Sequence, residues 1–109
     1  MHRIHYAGDS VITGTAIADA VLEYAKALAK VNQSETIEIP TVADDGSVRR
    51  SKILIGPASQ LIADEELTDD DELVDEQLIA SIQVETAKLT NRAYPVQHGD
   101  TQQAWVDEL

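Results

Sequence analysis

Residues 2–7 alternate along an extended chain, with His2, Ile4 and Tyr6 on one side and Arg3, His5 and Ala7 on the other. Gly8-Asp9 is a turn signal, and the β-prone run Ser10-Val11-Ile12-Thr13 follows it. The expected unit is a hairpin with a two-residue Gly-Asp loop, pairing Tyr6 with Val11 and Ile4 with Thr13. Gly14-Thr15 then breaks the pattern, with Thr15 placed to cap a helix. Ile17, Val21, Tyr24, Leu28 and Val31 recur at steps of four and three, which is one stripe of an amphipathic helix. Six alanines between residues 16 and 29 favour the helix and permit close approach of another element. Asn32-Gln33-Ser34 ends it.

Alternation returns at residues 35–42, with Ile37 and Ile39 flanking Glu38. Asp44-Asp45-Gly46 turns the chain into residues 47–55. A three-residue loop with Gly46 in the left-handed region sets Ile37 opposite Ile53 and Glu38 opposite Lys52. A one-residue slip would put every side chain on the wrong face. Gly56-Pro57 stops the strand, and residues 59–63 read as a short extra strand or a helical turn. A second helix is expected to begin between Thr68 and Glu72 and to run to about Thr90. Val74, Leu78, Ile82 and Leu89 would form its apolar face. The order predicts an α+β fold, ββαββα: a four-stranded, mainly antiparallel sheet with both helices packed on one face. Residues 1–91 form the expected domain and residues 92–109 a loosely attached tail.

Charge changes this picture in one place. Nine of the thirteen residues from 64 to 76 are carboxylates: Asp64, Glu65, Glu66, Asp69, Asp70, Asp71, Glu72, Asp75 and Glu76. The 109-residue chain has a net charge of −12, so this stretch carries −9 and the rest sums to −3. Such a balance disfavours direct contact with nucleic acid or anionic lipid, whose phosphates need Lys and Arg. It favours a basic protein, or a nucleic-acid-binding protein whose phosphate groove the carboxylates imitate. The absence of Cys excludes disulfides and thiol catalysis. With no apolar signal region near Met1 and no span-length apolar run, a cytoplasmic protein is expected.

Dedicated chemistry is harder to find. Counting from Asp64, an EF-hand would need Gly at its sixth position, where Asp69 stands. His2 and His5 are three apart on a strand and face opposite sides, so they do not chelate together. No P-loop or dinucleotide fingerprint occurs among the five scattered glycines. No metal or cofactor is expected. Trp105, the single Trp, lies in an apolar tip, Ala104-Trp105-Val106, and would serve as an aromatic anchor for a partner or a second copy.

Two resemblances bear on function. Residues 6–14, Tyr-Ala-Gly-Asp-Ser-Val-Ile-Thr-Gly, resemble the first block of the GDSL esterases and lipases. That likeness implies Ser10 as a nucleophile and makes a small serine hydrolase the alternative function. The family also requires a late Asp-x-x-His pair, and here Pro95 stands three residues before His98 where the Asp belongs. Without that base a serine hydroxyl is inert. Over about 90 residues the layout is similar to a group of small actinobacterial proteins of uncharacterised function. The matching pieces are Tyr6-Ala7-Gly8, residues 15–31, Leu54-Ile55-Gly56-Pro57-Ala58-Ser59 and residues 74–90. The likeness implies a shared bacterial fold and no catalytic residue, and the acidic segment departs from it. The expected function is a non-enzymatic acidic interaction module that docks a basic partner, as an inhibitor or nucleic-acid mimic. A structural subunit of a homo-oligomer, such as a homodimer, is the other alternative.

Overall fold

The computed structural model describes residues 1–93. Its elements are β1 (His2–Tyr6), β2 (Asp9–Thr13), α1 (Thr15–Lys30), β3 (Glu35–Val42), β4 (Val48–Ile55), β5 (Ile62–Glu65) and α2 (Glu76–Ala93). The strands form one antiparallel sheet in the order β4-β3-β2-β1-β5. The α+β class and the helix count match expectation, and the sheet has five strands instead of four. The added strand is β5, which lies along β1 with Ile4 opposite Ala63 and Arg3 opposite Asp64. It absorbs Asp64 and Glu65, the first two carboxylates of the acidic segment.

The first hairpin corrects a turn. Its loop is Ala7-Gly8, not Gly8-Asp9, and it pairs Tyr6 with Asp9, Ile4 with Val11 and His2 with Thr13. Both loop residues have positive φ, 51° at Ala7 and 81° at Gly8. A two-residue turn of that hand suits strand twist, and Gly fits best at its second position. The partner of Ile4 moves by two residues, so every side chain keeps its expected face. The second hairpin follows its expected register: Ile37 faces Ile53, Glu38 faces Lys52, and the Ala43 N–H bonds the Ser47 carbonyl at 2.8 Å.

Helix α1 buries Ile17, Val21, Tyr24 and Leu28 as its stripe demands. It ends in a Schellman arrangement. Asn32 takes φ 56°, its N–H bonds the Ala29 carbonyl at 3.2 Å, and the Gln33 N–H bonds the Leu28 carbonyl at 3.0 Å. At the other end Thr15 is the first helical residue rather than the cap; Gly14 occupies the cap position and offers no side chain. Helix α2 starts at Glu76, later than expected, because Asp75 caps it by accepting the Leu78 N–H at 3.0 Å. Ile82 and Leu89 reach the core, whereas Val74 lies before the helix and is 64 % exposed.

The core joins Ile4, Ile39, Ile53 and Ile55 of the sheet to both helices. The sheet is far from flat. Tyr6 of β1 donates its hydroxyl proton to the Leu54 carbonyl of β4, although β2 and β3 stand between those strands in the order. Three strand spacings in a flat sheet would hold them about 14 Å apart, so the sheet curls round its aliphatic core. Among the described residues no helix is long and apolar enough to cross a membrane.

Candidate functional site

The acidic segment divides into carboxylates that the fold uses and carboxylates that it leaves in water. The used ones begin on β5. Asp64 Oδ2 lies 3.0 Å from His5 Nε2 on the neighbouring strand. Glu66, one residue past β5, takes a two-pronged contact from Arg3: Nε to Oε1 at 3.0 Å and Nη2 to Oε2 at 3.2 Å. The matched geometry of guanidinium and carboxylate makes this a directional pair. It holds Glu66 below its ordinary carboxylate range, with the Arg3 hydrogen bond as the main cause. The Glu66 N–H also bonds the Met1 carbonyl at 3.0 Å.

Glu72 is the second anchor. Its Oε1 accepts from the Met1 amino group at 2.8 Å, and its Oε2 accepts from the Thr15 N–H at 2.6 Å. The first turn of α1 has free N–H groups and the positive end of the helix dipole, and Gly14 cannot cap them. A carboxylate distant in sequence does so instead. These two bonds, the amino group's first, lower the pKa of Glu72. The approach leaves no room beside Gly14: a Cβ there would fall 1.8 Å from the Leu73 carbonyl oxygen. Asp75 then caps α2.

Between the anchors, residues 67–71 form an irregular exposed loop. Asp70 exchanges hydrogen bonds with Thr68, its N–H donating to Oγ1 at 3.1 Å and its Oδ2 accepting from the hydroxyl at 2.8 Å. Among the described residues, Glu65, Asp69, Asp71 and Glu76 have no side-chain hydrogen bond or ion pair. Leu67 is 93 % exposed in the same loop. Asp69, Asp70 and Asp71 are contiguous and lie within a Debye length of one another at ordinary salt, so an approaching cation feels their summed charge.

Ser10 sits on β2 directly across from His5 on β1. Its Oγ lies 2.8 Å from Arg3 Nη1 and accepts that proton. His5 directs Nε2 to Asp64. Among the described residues no hydrogen bond joins Ser10 to His5, and the Ser10 hydroxyl oxygen accepts from the Arg3 guanidinium. A cavity of about 560 Å³ is lined in part by His5, Tyr6, Ser34, Leu54, Ser59 and Ile62. Ser59 there is engaged structurally, accepting the Gly56 N–H at 3.0 Å. Among the described residues no group of three or more His, Asp or Glu side chains is arranged to hold a metal ion. His98 and Trp105 lie outside the described residues.

Comparison of the chain with family models, with curated proteins and with solved structures returned no match.

Sequence reasoning missed the cap on α1 and the pairing of Arg3. A signal for the first existed: a strong helix preceded by Gly has no cap of its own and must borrow an acceptor from elsewhere. The short apolar run Leu61-Ile62-Ala63 was the local trace of β5.

Proposed function

We propose that this chain is a non-enzymatic interaction module that docks a basic protein surface through the exposed part of its acidic segment. The observation that carries this reading is the loop at residues 67–71, held at both ends yet presenting its charge to solvent. Glu66 is fixed by Arg3 and Glu72 by Met1 and Thr15. Among the described residues Asp69 and Asp71 have no side-chain partner, and Leu67 is almost wholly exposed. An anchored loop loses less conformational freedom on binding than a free one. Its carboxylates speed encounter with a cationic surface, and Leu67 supplies apolar area that charge cannot. Residues 69–71 are thus the recognition element, whereas Glu66, Glu72 and Asp75 build the frame that displays it.

The test is quantitative affinity capture with the wild-type chain and with Asp69→Asn/Asp70→Asn/Asp71→Asn, followed by identification of what is retained. The expected result is a basic protein retained by the wild type, released by about 0.5 M salt and lost with the triple variant. Equal retention by both chains, with equal salt dependence, would show that the loop does not carry recognition.

A further inference from the structure

The molecule carries a surface that matches its own acidic loop. Arg49, Arg50 and Lys52, three of the eight Lys and Arg residues, fall within four residues of β4. This strand is one edge of the sheet. Ile53 and Ile55 point into the core, so Val48, Arg50, Lys52 and Leu54 share the outer face. Val48 is 61 % and Leu54 54 % exposed. Among the described residues Arg49 and Lys52 have no ion pair, and the Arg50 contact with Glu38 is long at 3.9 Å. The row therefore reads apolar, basic, basic, apolar, with Glu38 of β3 standing opposite Lys52 and 3.9 Å from Arg50 as the carboxylate beside two cations.

Two copies are unsuited to pairing β4 against β4. An antiparallel pairing centred on Arg50 faces it with its own copy, and a shift by one pair sets Arg50 against Lys52; like charges directly opposite are destabilising. The acidic loop has the complementary character: Leu67 at one end, then Asp69 and Asp71. The loop also lies beside the start of β4. Asp70 Oδ1 is 3.3 Å from where a Cβ on Gly46 would stand, in the turn that leads into β4. Yet within the chain neither Asp69 nor Asp71 pairs with Arg49, Arg50 or Lys52 among the described residues. Two patches of complementary charge, not paired with each other within the chain among the described residues, permit a two-fold contact in which each copy supplies both halves.

We propose that two copies of this chain associate by reciprocal exchange, the exposed loop at residues 67–71 of each lying along the outer face of β4 in the other. Leu67 covers Leu54, and the carboxylates of Asp69 and Asp71 pair with Lys52 and Arg50. This inference rests on the docking role given to the loop and specifies a second copy as a target. The contacts are made by side chains, so neither fold has to open.

Sedimentation of the purified full chain tests it. The wild type is expected to form a dimer at low salt that dissociates as salt rises toward about 0.5 M. Arg50→Glu/Lys52→Glu and Asp69→Lys/Asp71→Lys are each expected to weaken dimerisation by about tenfold or more. An equimolar mixture of the two variants restores a dimer, because each then offers the charge the other lacks. That rescue also shows that both variants are folded. A wild type that stays monomeric at low salt overturns the inference, as does a dimer unaffected by either variant or a mixture that stays dissociated. A monomeric wild type that still captures a basic protein through residues 69–71 would overturn self-association and leave the docking role standing.

Discussion

Glu72 and Asp71 are adjacent in sequence, equal in charge and opposite in use. Glu72 has two donors, the Met1 amino group and the Thr15 N–H, and closes the start of a helix that begins 57 residues earlier. Asp71 points into water. A similar split runs through the acidic segment: Asp64, Glu66, Glu72 and Asp75 each bond a neighbouring side chain, the Met1 amino group or a helix-start N–H, and among the described residues Glu65, Asp69, Asp71 and Glu76 make no side-chain hydrogen bond or ion pair. Net charge describes both groups identically, and the fold separates them. Substitutions in the first group should therefore read out in stability, and those in the second in association.

The largest effect is expected where the frame is tightest. Gly14→Ala places a methyl carbon 1.8 Å from the Leu73 carbonyl oxygen, and backbone cannot swing aside as a flexible side chain can. Leu73 must retreat, taking Glu72 from the α1 terminus. A loss of about 3 kcal/mol in urea unfolding is expected, from overpacking and a lost cap together. A loss below about 0.5 kcal/mol would mean that the Leu73 segment does not hold Glu72 in place.

Glu72→Gln comes next. The amide keeps the shape and one acceptor but removes the charge from the helix start and from the Met1 amino group. About 1 kcal/mol is expected, in the range of other cap substitutions. The pH dependence gives a sharper test. Glu72 and Glu66 both have folded pKa values lowered from an ordinary 4.5, so folding favours their ionised forms. Their stabilisation is complete above that ordinary value and is lost as pH falls through the lowered one. The melting temperature of the wild type should therefore drop on acidification below about pH 4.5, and Glu72→Gln should flatten that slope. An unchanged slope would mean that other carboxylates dominate the acid limb. Arg3→Gln should cost less than Glu72→Gln in urea unfolding, because the Arg3–Glu66 pair is about a third exposed and water compensates much of its loss.

How much of this could be read from the sequence follows from where the information lies. Periodicity is local, so α1 and the β3–β4 hairpin were legible: Ile17 to Leu28 repeats at helical spacing, and Asp44-Asp45-Gly46 fixes the register of Ile37 on Ile53. The Ala7-Gly8 loop was misplaced by one residue because only a dihedral preference separates the two choices. β5 is four residues long and draws its stability from β1, about sixty residues earlier, so its own sequence gives little notice. The late start of α2 followed from the same cause. A run of acids suits any helix start, and only Asp75 is placed to accept the Leu78 N–H. The candidate site was legible as a run of charge, and its division into frame and display was not. That division depends on Arg3, Met1 and Gly14, which lie at the far end of the chain.

The smallest expected effect on stability is the one that separates the two groups most cleanly. Asp69→Asn/Asp70→Asn/Asp71→Asn removes three charges, and among the described residues none of these carboxylates pairs with a cation. Asp70 loses at most its local exchange with Thr68, which an Asn side chain can still make. Removing like charges from one loop relieves repulsion, so the melting temperature should stay level or rise slightly, by the equivalent of a few tenths of a kcal/mol. The gain should be larger at low salt, where repulsion is least screened. Adding Glu72→Gln to this variant should reverse the sign, because the fourth substitution weakens the α1 cap instead of removing a surplus charge. If the triple variant were itself destabilised by more than about 1 kcal/mol, residues 69–71 would belong to the frame, and the distinction drawn between Glu72 and Asp71 would not hold.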